Sequence, residues 1–410
     1  MAEIVLIGTL DTKGLEYELL RDRIVALGHE VRVIDAGALG EPVFAPDFSR
    51  QEVAAAAGTS IEALIAANDR GAAVAALSSG ARTILLRLHQ AGRVHGVAAL
   101  GGSGGSALAA HAMKALPIGV PKLIVSTVAS GDTHAYVGAA DVTMMHSVVD
   151  VAGLNRISRR IIRNAAGAIA GMAEAYAHDL SIPGDDKPLV AATMFGVTTP
   201  SVMAAKERLE QSGYEVLVFH AVGTGGEAME ALVAAGFIEG VLDVTTTELA
   251  DALVGGVFPA HEGRLTTAGR FGVPQVVSLG ALDMVNFGPR ATVPAKFADR
   301  VFYEHNASIT LMRTTPEECR TLGRQIGERL SAAEAPTSLF IPLAGISAIA
   351  GEGGVFHDPT ADKALFDAVR SATRGSVSVE ELDTDINDKR FAHAMADALL
   401  AAMKNKKESP

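Results

Sequence analysis

VHGVAALGGSGGSALAAHAMKAL, residues 94–116, is the stretch on which the reading of the fold turns. Residues 94–100 are short, mostly apolar and β-permissive, like a buried parallel strand. Residues 107–116 make an alanine-rich helix candidate. Between them stand Gly101, Gly102, Ser103, Gly104, Gly105 and Ser106. A strand, a glycine turn and a helix start aim unpaired backbone N–H groups at an anion. Glycine lets the main chain come close to that anion, and the two serines add hydroxyl donors. A plain tight turn between packed elements is the competing explanation.

Outward from this stretch, one design occurs twice. Residues 3–8 read as strand, 9–13 as loop, 14–27 as helix, Gly28 as turn and 30–35 as strand. Residues 189–196, 197–200, 201–211, Gly213 and 215–220 repeat that order, and GHEVRV at 28–33 has its counterpart in GYEVLV at 213–218. Leu15, Leu19, Ile24 and Leu27 recur at roughly helical spacing and are expected to face a sheet. Helices near 50–57, 60–69, 71–91 and 154–177, with strands at 122–130 and 141–147, complete the first half. The second half adds strands at 239–244, 274–279, 338–344 and 377–382, and helices at 315–332, 358–373 and 388–403. The charged tail 404–410 is expected to fray. Strands alternating with helices imply parallel sheets with right-handed crossovers. The expected fold class is α/β: two doubly wound domains, 1–177 and 189–410, joined by a linker at 178–188 that carries proline, glycine and charge.

Composition narrows the function. At 410 residues and 49% hydrophobic, the chain is long enough for two well-buried cores. Its formal net charge of −12 argues against general binding to nucleic acid or a membrane surface, which rests on basic patches. A nucleotide site needs only a local positive field. Cys319 is the single cysteine, so neither an intrachain disulfide nor a thiolate metal cluster can form. The start of the chain has no signal-peptide pattern, and no uninterrupted apolar run reaches membrane-spanning length, so a cytoplasmic protein is expected.

Ligands of such sheets bind at the carboxyl ends of strands, near the switch in strand order, which selects the loops that matter. The first holds Gly8, Thr9, Asp11, Thr12 and Lys13. Lys13 could meet a phosphate as a point charge, and Asp11 could hold a magnesium ion directly or through water. It is not a P-loop, because the Gly-Lys-Ser/Thr ending is missing, and an ordinary N-cap by Asp11 or Thr12 explains it nearly as well. The second loop is 101–106; its Gly102-Ser103-Gly104-Gly105-Ser106-Ala107 fits G-x-G-x-x-A, but no acidic residue ends a strand about 20 positions on, which favours a mononucleotide over a dinucleotide. The third, with Gly131, Asp132 and His134, could border the same crevice. In the second half Thr198-Thr199, residues 223–226 and residues 245–248 offer hydroxyls or amides without a cation. Residues 258–316 concentrate polar groups: Arg264 and Arg290 could grip a carboxylate or phosphate, and His305 could act as a general base oriented by Asp283. Buried ion pairs and interface contacts explain the same residues.

One loop is not enough for useful affinity. Micromolar binding needs about −8 kcal/mol, while a charge-assisted hydrogen bond contributes roughly 1.5–3 kcal/mol and association costs several kcal/mol. The first and second loops must therefore act together, on strands that are neighbours or nearly so.

Residues 8–13, residues 101–106, GALDMVNFGP at 280–289 and His305-Asn306 with TLMRTTPEE at 310–318 resemble the Tm-one-like ATP-binding domain family, over nearly the whole chain. That resemblance implies two Rossmann-like subdomains, ATP bound with magnesium, and a homodimer. It places the nucleotide on the 8–13 and 101–106 loops. The expected function is thus nucleotide binding, with hydrolysis left open. Its rivals are an enzyme acting on a small phosphorylated or carboxylated metabolite expected between the two domains, through Arg264, Arg290 and His305 with ATP as co-substrate or regulator, and a nucleotide-gated interaction module.

Overall fold

The computed structural model describes residues 1–180 and 187–408, which divide into two compact units meeting in sequence near residues 184–185. The N-terminal unit runs β1 (Glu3–Gly8), α1 (Leu10–Ala26), β2 (Glu30–Asp35), α2 (Arg50–Ala56), α3 (Ile61–Ala67), α4 (Arg70–Gln90), β3 (Gly96–Gly101), α5 (Ser103–Met113), β4 (Lys122–Ser126), α6 (His134–Val137), β5 (Val142–His146) and α7 (Arg156–Asp179). Its five strands are all parallel, in the order β2-β1-β3-β4-β5. Helices α1 and α7 pack on one face through Leu10, Tyr17, Leu20 and Ile24 against Ile162, Ala165 and Ile169. Helices α2, α4 and α5 cover the other through Val53, Leu77, Leu85 and Leu108.

The C-terminal unit runs β6 (Leu189–Met194), α8 (Thr199–Gln211), β7 (Glu215–His220), α9 (Thr224–Ala234), β8 (Ile238–Thr245), α10 (Glu248–Val254), α11 (Thr267–Arg270), β9 (Gln275–Gly280), β10 (Met284–Phe287), β11 (Phe302–Asn306), β12 (Ile309–Arg313), α12 (Pro316–Ser331), β13 (Thr337–Pro342), α13 (Pro359–Ala372), β14 (Ser378–Leu382) and α14 (Lys389–Glu408). Six parallel strands lie in the order β14-β13-β9-β8-β6-β7. The doubly wound, mainly parallel α/β class read from the sequence is therefore the observed one, in both halves. The repeated turn glycines Gly28 and Gly213 both take left-handed backbone, at φ +92° and +90°, which is why glycine stands at each.

Four local expectations need correction. Helix α1 includes a first turn from Leu10, set off by non-helical backbone at Lys13 from the main run that begins at Gly14 as expected. Its buried stripe is not the expected one: Leu10, Tyr17, Leu20 and Ile24 are buried, while Leu15 and Leu27 are about half exposed. The turn at 223–226 opens a helix, α9. Residues 281–313 hold a small antiparallel sheet, β10-β12-β11, which the sequence reading left irregular. Helix α14 carries on to Glu408 through the tail expected to fray. Of the linker expected at 178–188, helix α7 takes the first two residues, and residues 181–186 lie outside the described residues. No helix among the described residues is long and apolar enough to cross a membrane.

Candidate functional site

Strand β1 has β2 on one side and β3 on the other, so successive crossovers leave it in opposite directions, and the carboxyl ends of β1 and β3 form the topological switch point of the sheet. The loops after these two strands are the first and second loops singled out above; they belong to neighbouring strands. The β1–β3 ladder pairs Ile4 to Leu6 with Gly96 to Ala98. Beyond it the fully buried Tyr17 hydroxyl lies 2.6 Å from the Ile7 carbonyl oxygen and 3.0 Å from that of Leu100, and accepts the Leu100 N–H at 2.7 Å. Burial pushes the phenol pKa up, so the hydroxyl stays a donor. Gly8 is glycine because a Cβ there would lie 2.0 Å from the Tyr17 ring. Tyr17→Phe is expected to strand the buried Leu100 N–H, with a loss of about 1–3 kcal/mol in urea unfolding.

The second loop is a helix start with open amides. Gly102 is the N-cap of α5 and gives no side-chain cap, and the first intrahelical bond runs from the Ser106 N–H to the Gly102 carbonyl at 2.9 Å. The N–H groups of Ser103, Gly104 and Gly105 have no partner among the described residues. Ser103 and Gly104 are exposed, and a Cβ on Gly104 would meet nothing within 4 Å. Gly101 is close-packed, its added Cβ lying 3.1 Å from Gly105 Cα. Ser106 is turned inward: its hydroxyl is 2.6 Å from that of Ser126 on β4, and ties α5 to the sheet. The third loop adjoins, with the Thr127 N–H donating to the Gly101 carbonyl at 3.3 Å. Gly131 and Asp132 are exposed there, and Asp132 accepts the His134 N–H at 2.9 Å to start α6.

The first loop is more occupied than its sequence suggests. The Leu10 N–H, in the first turn of α1, donates to Asp35 Oδ1 at 3.0 Å, and the Gly37 N–H does the same. Burial raises the Asp35 pKa against these two bonds. Asp11 accepts the Leu39 and Gly40 N–H groups on Oδ2 at 2.7 and 3.2 Å, and its Oδ1 is buried without a partner. The Lys13 ammonium donates to the Val151 carbonyl. The Thr9 and Thr12 hydroxyls bond each other at 2.9 Å, exposed. Sequence reasoning passed over Tyr17 and Asp35; the carboxylate ending β2 was the signal available for the latter.

The C-terminal unit has a matching switch between β6 and β8, but there the space is filled. Arg264, fully buried, grips Asp243 with both terminal nitrogens, at 2.7 Å from one of them, and donates from Nε to Glu248 at 2.6 Å. Burial opposes its charge, but Asp243 and Glu248 outweigh that and hold its pKa well above the usual value. Glu248 in turn accepts the Gly223 and Gly226 N–H groups at 2.7 and 3.3 Å, so the chain's own carboxylate occupies the start of α9. Thr193 donates to Asp243 at 2.7 Å, and the Thr198 and Thr245 hydroxyls meet at 2.7 Å. Above them Phe195, Val197, Ala281, Met284, Leu311 and Phe356 close over the strand ends.

The four proposed catalytic residues are not brought together. Arg264 belongs to the buried ion cluster. Asp283 is fully buried, accepts the Ser347 hydroxyl at 2.8 Å and has its pKa pushed up to about 6 by burial. His305 is exposed on the edge strand β11. Met284, next to Asp283, pairs with Arg313 at one end of β12, whereas Asn306, next to His305, pairs with Ile309 at the other. Four residues of strand, about 13 Å, separate those rungs. Arg290 is exposed, with its guanidinium 3.9 Å above the Phe302 ring.

Asp251, also fully buried, accepts two bonds from Asn286 and one from the Phe258 N–H, yet burial pushes its pKa up to about 7. The folded form thus holds a proton that the unfolded chain releases above its ordinary value of 3.8. Stability from this group is fully present below that value and is lost as pH rises through about 7, by up to about 1.4 kcal/mol per pH unit. Asp251→Asn is expected to flatten the fall in thermal midpoint between pH 5 and 7 relative to the wild type.

Fold and strand ends together define a pair of doubly wound, Rossmann-like α/β units, the first with an open helix start at its switch point. The chain belongs to the uncharacterised protein family UPF0261: residues 2–178 match its N-terminal domain and residues 187–403 its C-terminal domain. It is 50% identical to a UPF0261 protein of Clostridium tetani over 98% of this chain and 99% of that one. It is 44% identical to the ToMV resistance protein Tm-1(GCR237) of Solanum lycopersicum over 82% of this chain but 45% of the tomato protein. Among solved structures, the Methanocaldococcus jannaschii UDP-GlcNAc 2-epimerase in complex with UDP-GlcNAc and UDP is 9% identical, covering 68% of this chain and 83% of that one, with a TM-score of 0.21, too low to argue from.

Proposed function

We propose that the N-terminal unit binds a nucleotide, ATP carried with magnesium, with its phosphates over the start of α5. One observation carries the reading: three adjacent N–H groups at a helix start on a topological switch, those of Ser103, Gly104 and Gly105, have no partner among the described residues, and Ser103 and Gly104 are exposed. The equivalent need in the C-terminal unit is met internally by Glu248, which illustrates what such a helix start demands. The exposed Thr9 and Thr12 hydroxyls lie after the neighbouring strand and supply the second set of donors. Asp11 gives Oδ2 to the Leu39 and Gly40 amides and has Oδ1 without a partner, so the reading places magnesium on the triphosphate and its waters, with Asp11 Oδ1 as the protein carboxylate oxygen left for it. ATP rather than another nucleotide rests on the resemblance to the Tm-one-like ATP-binding domain family.

The rival, chemistry on a small metabolite by Arg264, Asp283, Arg290 and His305, has no common site within the C-terminal unit. Isothermal titration of the full chain with ATP and magnesium is expected to show binding in the micromolar range, about −8 kcal/mol. An absence of binding to ATP, ADP and pyrophosphate alike would remove the proposal.

A further inference from the structure

Helix α7 carries two local costs that nothing among the described residues offsets. Arg156, Arg159, Arg160 and Arg163 fall within about 100° of helix arc. All four are exposed, and none has a partner among the described residues. No acidic residue occurs between Asp150 and Glu174 to neutralise them. Arg156 and Arg159 stand in the first turn of the helix, where the macrodipole is positive and cations are disfavoured. Most other arginines here are paired, among them Arg32, Arg93, Arg208, Arg300 and Arg370. The second cost is Gly167 and Gly171 in mid-helix. A Cβ on either would meet nothing within 4 Å, whereas one on Gly80 or Gly323 would strike backbone at 1.9 or 2.5 Å. Those two glycines have a packing reason within the chain; Gly167 and Gly171 weaken the helix without one among the described residues.

Both costs have the same symmetry. Gly167 and Gly171 straddle position 169, and so, within half a residue, do Arg163 and Glu174, the first acid after the arginines on the same face. Turned end for end about that point, the face matches itself. Arg163 meets Glu174 of the partner subunit twice over, Gly167 crosses Gly171 of the partner subunit, and Arg159 and Arg160 come to the negative end of the opposite helix. A groove of about 820 Å³ beside this helix, lined by Gly171, Glu174, His178, Leu27 and His29, has room for the incoming arginine side chains. A nucleic acid is the poorer fit, because four arginines over about 10 Å face a chain of net charge −12.

We infer that α7 is the homodimer contact of this protein, an antiparallel pairing of α7 with the same helix of a second copy across a two-fold axis near residue 169. The charges fix the register and the glycines let the helices approach. Sedimentation of the full chain tests it. The wild type is expected to be a dimer that weakens as salt rises. Arg163→Glu, an exposed change that leaves the fold intact, is expected to raise the dimer dissociation constant about tenfold or more, since both symmetric pairs turn repulsive. The double variant Arg163→Glu with Glu174→Arg is expected to restore it. A wild type that stays monomeric at about 100 μM, a dimer indifferent to Arg163→Glu, or a double variant no tighter than the single would each overturn the assignment.

Discussion

Gly104→Val is expected to reduce ATP affinity by about 100-fold or more while leaving far-ultraviolet circular dichroism and the thermal midpoint nearly unchanged. The backbone at Gly104 is not in the left-handed region, and an added Cβ meets nothing within 4 Å, so the fold has room for the side chain. That room is where the proposed function puts the phosphates. Valine would cover the Gly104 N–H and its neighbours on Ser103 and Gly105, removing two or three charge-assisted bonds of roughly 1.5–3 kcal/mol each. Gly101→Ala is the contrasting control: its Cβ would press on Gly105 Cα at 3.1 Å, so it should disturb the turn itself and cost stability along with binding. An unchanged affinity for Gly104→Val would take the start of α5 out of the site.

The largest effect on stability is expected from Arg264→Met. The side chain fits the space, but it leaves Asp243 and Glu248 buried with no cation, and Glu230, 3.7 Å from the guanidinium, loses its counter-charge too. Removing one partner of a buried ion cluster typically costs about 3–5 kcal/mol. The pH dependence identifies the cause. Stranded carboxylates acquire raised pKa values, so the folded variant takes up protons that the unfolded chain does not. Its deficit against the wild type should shrink as pH is lowered from 7 towards 5, read as urea midpoints at each pH. A deficit independent of pH would point to lost packing instead.

The parts legible in the sequence are those written in local periodicity. Alternating strands and helices, the repeated Gly-x-Glu-Val turn after α1 and α8, and the strand–glycine–helix order at 96–113 fixed the class and the loops worth reading. The buried stripe of α1 was misread because its buried face is built on Tyr17, Leu20 and Ile24, three and four residues apart, and Leu15 lies off that face. The antiparallel sheet of β10, β11 and β12 escaped because its strands are only four or five residues long. The functional misreadings share one cause. Arg264 looks the same in sequence whether it meets a ligand or Asp243, and only tertiary structure decides. One signal was present: Asp243 interrupts an apolar strand, VLDVT, and a carboxylate buried in a central strand needs a cation nearby. The same holds for Glu248, whose place on the Gly223 and Gly226 amides depends on loops 22 and more residues apart coming together.

Amide chemical shifts of the full chain, labelled with nitrogen-15 at glycine and serine and titrated with ATP and magnesium, test the central claim most directly. The account predicts that Ser103, Gly104 and Gly105 move first and furthest as their N–H groups take up phosphate oxygens, while Gly223 and Gly226, already bonded to Glu248, stay still. Saturable shifts elsewhere, with those three amides unmoved, would contradict it.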